Sequence, residues 1–123
     1  MHVRLDRITV DCADPQSMAA FWAAVLGYEI RNNDGNLSIF DPRSSGPDIG
    51  FQQVPEPKVV KNRLHFDLLP ADGDWSMAVE RLESLGAQKV QFFDHDPTQT
   101  WWVMHDPEGN EFCIVWLHGH DAA

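Results

Sequence analysis

His65 and Asp67 are separated by one residue in RLHFDLL, a stretch whose alternation reads as a strand, so both side chains leave the same face of a sheet. An imidazole beside a carboxylate is the minimal arrangement for a general base with a fixed tautomer, and equally the ordinary hydrogen bond of a structural pair. These two are the catalytic candidates. Arg7 and Asp11 share one face of a comparable early strand, RLDRITVDC. A guanidinium there suits the carboxylate or phosphate of an anionic ligand, or an ion pair with Asp11 or Asp67. Cys113, between Phe112 and Ile114, is either a nucleophile whose pKa Arg7 or protonated His65 lowers, or a small apolar core residue. Trp101 and Trp102 are adjacent in a strand and must point to opposite faces. Alternation leaves open which of them lines a binding surface, and Trp102 is the candidate; of Phe51 and Gln52, the candidate is Phe51. Arg7, Asp11, Phe51, Trp102 and Cys113 thus form the expected ligand-binding set. His95-Asp96, His105-Asp106 and His118-x-His120 fall in turns or beyond the last strand, where solvated residues are expected. The chain carries no Gly-rich phosphate loop, no Ser nucleophile elbow and no HExxH helix.

The elements that must position these residues come in two similar sets. Met18-Ala19 and Leu26-Gly27 lie on an apolar helical stripe, and Met77-Ala78 and Leu85-Gly86 repeat the arrangement. Asp-Pro turns at Asp41-Pro42 and Asp106-Pro107 each lead to a glycine and a short apolar strand. The first set opens with a strand over 4–12, in which Ile8, Val10 and Cys12 face a helix and Arg7, Thr9 and Asp11 face away. Asp14 caps that helix, Pro15 occupies its first position, Met18, Phe21, Trp22, Val25 and Leu26 form its stripe, and Gly27 stops it. A hairpin, 28–31 with 37–40, turns at Asp34-Gly35-Asn36, and a further strand covers 48–54. PEPKVVKN, 55–62, is the connector. The second set repeats β-α-β-β-β: a strand over 63–69 with Leu64, Phe66 and Leu68 inward, a helix from Asp74 to Gly86 with Trp75, Ala78, Val79, Leu82 and Leu85 on its stripe, then strands over 88–93, 100–105 and 111–116. The tail after Trp116 is expected to fray. A single domain of two modules, 4–54 and 63–116, is expected, and two facing copies of a sheet-bearing unit make a concave, ligand-sized cup.

At 123 residues the chain buries roughly two thirds of its unfolded surface and needs neither disulfide nor metal to fold. Two cysteines in apolar contexts point to reduced thiols, and no leader or apolar span is visible, so a cytoplasmic protein is expected. A net charge of -10 works against nucleic acid, whose affinity comes from Lys and Arg on phosphates.

The doubled unit, with DPQSMAAFWAAVLGYEI at 14–30, KNRLHFDLL at 61–69 and HDPEGNEFCIVW at 105–116, resembles the vicinal oxygen chelate superfamily, which includes glyoxalase I, extradiol dioxygenases and bleomycin-resistance proteins. It is most similar to the glyoxalase-like domains. The resemblance implies an α+β fold of two βαβββ modules, curved mixed sheets forming a cup with helices outside. It also implies a homodimer and four positions converging on one divalent ion, filled mainly by His, Gln and Glu. Those positions fall on Arg7, Gly50, His65 and Cys113, of which only His65 keeps a family ligand type. A register slip in the first strand would offer Asp6, Ile8, Thr9 or Leu5 in place of Arg7, and an unconventional set of His65, Asp67 and Asp11 is the alternative. Arg has no free lone pair and Gly no side chain, so no metal cofactor is expected. The expectation is a small-molecule-binding protein without the usual metal; the alternative is a metal-dependent lyase, isomerase or dioxygenase acting on vicinal oxygens.

Overall fold

The computed structural model describes residues 1–44, 46–71 and 73–118, which fall into two compact units meeting in sequence at Lys58 and Val59. The first contains β1 (Arg7–Cys12), α1 (Pro15–Leu26), β2 (Glu29–Asn33), β3 (Asn36–Phe40) and β4 (Asp48–Gln53). Its sheet runs β1-β4-β3-β2, with β1 parallel to β4 and the other pairs antiparallel. Asp14 accepts from the Ser17 amide at 3.3 Å, Pro15 opens the helix, and Gly27 closes it in the left-handed region at φ 70°. Each local signal does what its chemistry allows. The hairpin turn is tighter than expected: Asn33 pairs with Asn36, leaving Asp34 (φ 54°) and Gly35 (φ 87°) as a two-residue loop of the twist that hairpins favour. β1 begins at Arg7, not at residue 4, because its partner begins at Asp48, the residue paired with Arg7. Residues 4–6 have no strand beside them, and Leu5 is exposed.

Helix α1 packs across β2, β3 and β4, burying Met18, Phe21 and Trp22 against Ile39, Ile49 and Phe51. Ile8, Val10 and Cys12 point toward that core, and Arg7, Thr9 and Asp11 away from it, as alternation predicts.

The second unit contains β5 (Asp67–Leu68), α2 (Trp75–Leu85), β6 (Gln88–Asp96), β7 (Gln99–His105) and β8 (Glu111–Leu117), in sheet order β5-β8-β7-β6. β5 is parallel to β8, and the remaining pairs are antiparallel. Asp74 caps α2 through the Met77 amide at 3.1 Å. Val79 and Leu82 pack over Met104, Phe112 and Ile114.

Three expectations need correction in this unit. The strand over 63–69 shrinks to Asp67–Leu68, with Leu64 81% exposed rather than inward. The cause is Asn62. Its side-chain Oδ1 accepts from the Glu111 amide at 2.7 Å, and its Nδ2 donates to the Glu111 carbonyl at 3.2 Å and to the Leu64 carbonyl. A side chain thereby makes the ladder bonds that a longer strand would have made from its backbone, and the chain bends at residues 63 and 64. Met77 lies off the buried stripe and is 64% exposed, whereas its counterpart Met18 is fully buried. His95 and His105 sit in β6 and β7, not in turns. β6 extends to Asp96, whose carboxylate accepts from the Thr98 amide at 2.8 Å and hydroxyl at 2.7 Å and so closes a tight turn into β7. Leu117 completes β8 and the His118 amide donates to the Thr98 carbonyl at 2.8 Å; His120 and the rest of the tail lie outside the described residues.

Candidate functional site

Each sheet has one face covered by its helix, so functional side chains are sought on the other. In the second unit, Asp67 pairs with Cys113, Cys113 with Val103, and Trp101 with Val115, which places these residues on the face away from α2. His65 Nε2 lies 3.1 Å from Asp67 Oδ1. Ligand-capable atoms of His65, Asp67 and Cys113 all lie within 4.8 Å of one another. The pair read from the spacing is therefore formed, and Cys113 joins it.

Cys113 is not the activated nucleophile considered above. Burial, and then the Asp67 charge and its hydrogen bond with the thiol, push its pKa from 9.0 to about 11. At neutral pH it is a thiol held against a carboxylate.

Trp102 faces the opposite way from its expected role. It pairs with Ile114 on the α2 side, contacts Phe92 at a ring separation of 5.3 Å and lies 4.9 Å from the Lys89 ammonium. Phe92 in turn meets Trp75 of α2. Trp101 is the one on the Asp67 face, stacked on Phe93 at 5.2 Å and 17°, with His95 against it at 5.5 Å. Phe51 is corrected in the same way: paired with Val10 and Leu37 under α1, it is 5% exposed, and Gln52 takes the outward position beside Asp11.

On the first sheet, the face away from α1 carries Arg7, Thr9 and Asp11 from β1, Gly50 and Gln52 from β4, Ser38 from β3 and Arg31 from β2. Asp48 is the register neighbour of Arg7, yet its carboxylate accepts from Arg31 Nη1 at 3.0 Å. The Arg31 guanidinium also lies 4.2 Å over the Phe40 ring. Among the described residues of its own unit Arg7 makes no ion pair, so the one weighed to Asp11 is not formed. Its side chain instead lies across Gly50: a β-carbon at that glycine would stand 2.9 Å from Arg7 Cδ and 3.4 Å from Thr9 Oγ1.

That geometry tests the donor set for a metal. The Arg7 stem fills the space in which a side chain at position 50 would have to lie, and neither residue has a lone pair to give. The family's four-ligand set therefore does not fit this chain. His65, Asp67 and Cys113 are competent ligand types by themselves, three in number where a closed tetrahedral site takes four. Sequence reasoning missed Asn62, Ser38 and Arg31. Asn62 resembles any loop asparagine, and the other two acquire meaning only from the register that sets them beside Gly50.

Two βαβββ units, each a four-stranded mixed sheet with one helix, define the glyoxalase/bleomycin resistance/dioxygenase fold class. The glyoxalase-like domain family matches residues 7–115, and the chain belongs to that family. No curated protein matches the sequence. Among solved structures, it is similar to a glyoxalase/bleomycin resistance protein/dioxygenase family enzyme from Burkholderia phytofirmans, at 20% identity over 92% of this chain and 98% of that one, TM-score 0.72. A glyoxalase/bleomycin resistance protein/dioxygenase from Nocardioides gives 14% identity over 97% and 87%, TM-score 0.72. The oxidase ChaP-H2 gives 19% identity over 94% of each chain, TM-score 0.67. At these identities the likeness is one of fold.

Proposed function

We propose that this chain is a small-molecule-binding member of the glyoxalase-like family that holds an organic ligand on its open sheet faces without the family's metal. The observation that carries this reading is Arg7 lying across Gly50, which puts a hydrogen-bond donor in the place where relatives of this fold would supply ligand atoms. Trp101 and Phe93 offer a stacked aromatic surface on the second sheet. His65 and Asp67 would present a proton acceptor to whatever sits there, and Asp11 and Gln52 a polar border on the first sheet. Elemental analysis of the purified protein and titration with Zn²⁺, Ni²⁺, Fe²⁺, Mn²⁺ and Co²⁺ test this proposal. Binding should be weak and sub-stoichiometric. Tight one-to-one binding abolished by His65→Ala would overturn it.

A second reading, a metal-dependent lyase, isomerase or dioxygenase, is favoured by the proximity of His65, Asp67 and Cys113. A divalent ion held by these three would polarise vicinal oxygens of a substrate. The test for it is a thiolate-to-cobalt absorption band that disappears in Cys113→Ser.

The proposal includes a homodimer, supported by Val59, Val60 and Leu64, which are 76% to 83% exposed in the single chain. It also includes a cytoplasmic location, supported by two buried free thiols and by the lack, among the described residues, of any helix long and apolar enough to cross a membrane. Sedimentation at several concentrations checks the first, and fractionation of cells the second.

A further inference from the structure

We infer that the first sheet carries a carboxylate-binding site whose floor is Thr9, Gly50 and Ser38 and whose flanking cations are Arg7 and Arg31. The inference rests on the small-molecule reading above and adds the chemical class of the ligand. Register sets Thr9 beside Gly50 on one side, Ser38 opposite it on the other, and Arg31 opposite Ser38, all on the face away from α1. Side chains directly opposed in this way have β-carbons about 5 Å apart, so Thr9 and Ser38 flank Gly50 within about 10 Å of each other, and Arg31 stands one strand farther out. Arg7 leans over the floor, with Nη1 3.5 Å from where a β-carbon of Gly50 would be.

Two features make this a site and not a chance collection of polar residues. Ser38 is 1% exposed and is the register partner of Gly50, so its hydroxyl belongs to the floor of the face and not to its rim. The charges are also unequal. Of the carboxylates on this face, Asp48 is engaged by Arg31 at 3.0 Å and Asp11 makes no ion pair with Arg7, which leaves the Arg7 guanidinium free to meet a ligand. Arg31 is oriented by Asp48 and by Phe40, so it is held in place and does not collapse onto the floor. A planar guanidinium with hydroxyl donors below it matches a carboxylate, which accepts two parallel N–H bonds and has lone pairs left for the hydroxyls. A side chain at Gly50 would displace the Arg7 stem from this position.

The test is an amide chemical-shift titration of the full chain with sodium benzoate, benzamide and sodium phosphate, each against sodium chloride at matched ionic strength. Benzoate should shift the Thr9, Ser38 and Gly50 amides in a saturable way, and benzamide should not. Arg7→Gln and Gly50→Ala should each weaken benzoate at least ten-fold, while Arg7→Lys should lose less. Both Arg7 variants alter an exposed side chain without a partner, so their amide spectra should otherwise overlay the parent. Unchanged benzoate affinity in Arg7→Gln would overturn the inference, as would no localised shift or tighter binding of phosphate. If benzamide shifts open-face amides and benzoate adds nothing, the site fails while the binding reading stands. If neither molecule shifts any open-face amide, both fail.

Discussion

Replacing Asn62 with Ala removes a clamp from the segment that runs through His65 into β5 and Asp67. The lost bonds are those of the side chain: Oδ1 from the Glu111 amide at 2.7 Å, Nδ2 to the Glu111 carbonyl at 3.2 Å, and Nδ2 to the Leu64 carbonyl. The bond from the Asn62 backbone amide to Glu111 Oε1, at 3.1 Å, survives the substitution. Intramolecular hydrogen bonds contribute about 0.5–1.5 kcal/mol each, and these are half-buried, so the variant should lose about 2–3 kcal/mol. In urea, where slopes are about 1–3 kcal/mol per molar, the midpoint should fall by about 1–2 M with the slope unchanged. A second measurement locates the effect. The Cys113 amide donates to the Phe66 carbonyl at 2.9 Å, just past the clamp, and its hydrogen exchange should accelerate, while the Val54 amide, bonded to Cys12 in the other unit, should not change. A loss below about 0.5 kcal/mol, or unaltered exchange at Cys113, would show that the short β5 is held by something other than Asn62.

Asp106 is 4% exposed and accepts from the Glu108 amide at 2.9 Å, the Asn110 amide at 3.0 Å and Asn110 Nδ2 at 2.9 Å. Asp106→Ala should cost about 3 kcal/mol or more in thermal unfolding, because three donors lose a carboxylate; a cost under about 1 kcal/mol would refute that role for the Asp-Pro-Glu-Gly-Asn turn. Cys113, with its pKa pushed up to about 11, should alkylate with iodoacetamide at a rate still climbing ten-fold per pH unit between pH 8 and 10, read by peptide mapping. Since the folded value exceeds the unfolded value of 9.0, its contribution to stability is fully present below pH 9 and is lost as pH rises through 11. Asp67→Asn removes the charge that helps raise it and should move the alkylation profile to lower pH.

What could be read from the sequence was what the chain decides locally. Asp14, Pro15, the stripe from Met18 to Leu26 and Gly27 carry their own capping and burial instructions, and α1 forms on those residues. Asp34-Gly35 likewise dictates the hairpin turn. Alternation is a relative signal, however. It separates Trp101 from Trp102 and Phe51 from Gln52 without saying which member of each pair meets a helix, and that is decided by partners tens of residues away, Ile114 and Val10. The extent of β5 escapes alternation for a related reason. LHFDLL has the pattern of a strand, but the competing bonds come from an asparagine amide to Glu111, a contact that no window of neighbouring residues contains. The reactivity of Cys113 was equally out of reach, since the carboxylate that governs it sits in the adjoining strand.

Arg7 and Gly50 are coupled in space. A side chain at position 50 would force Arg7 to shift, because Arg7 Cδ comes within 2.9 Å of where that side chain would begin. If ligand atoms had simply been lost from the first sheet, the vacated space would have no reason to be matched. Here the glycine makes room and the arginine occupies it, while Ser38 and Thr9 supply hydroxyls to the same spot. On the second sheet His65, Asp67 and Cys113 stand together as one group. The two units thus differ in the chemistry of their open faces while their helix caps and sheet orders are alike. An unpaired guanidinium over a glycine, flanked by two hydroxyls, is the reason to look for a carboxylate on the first sheet before looking for a metal.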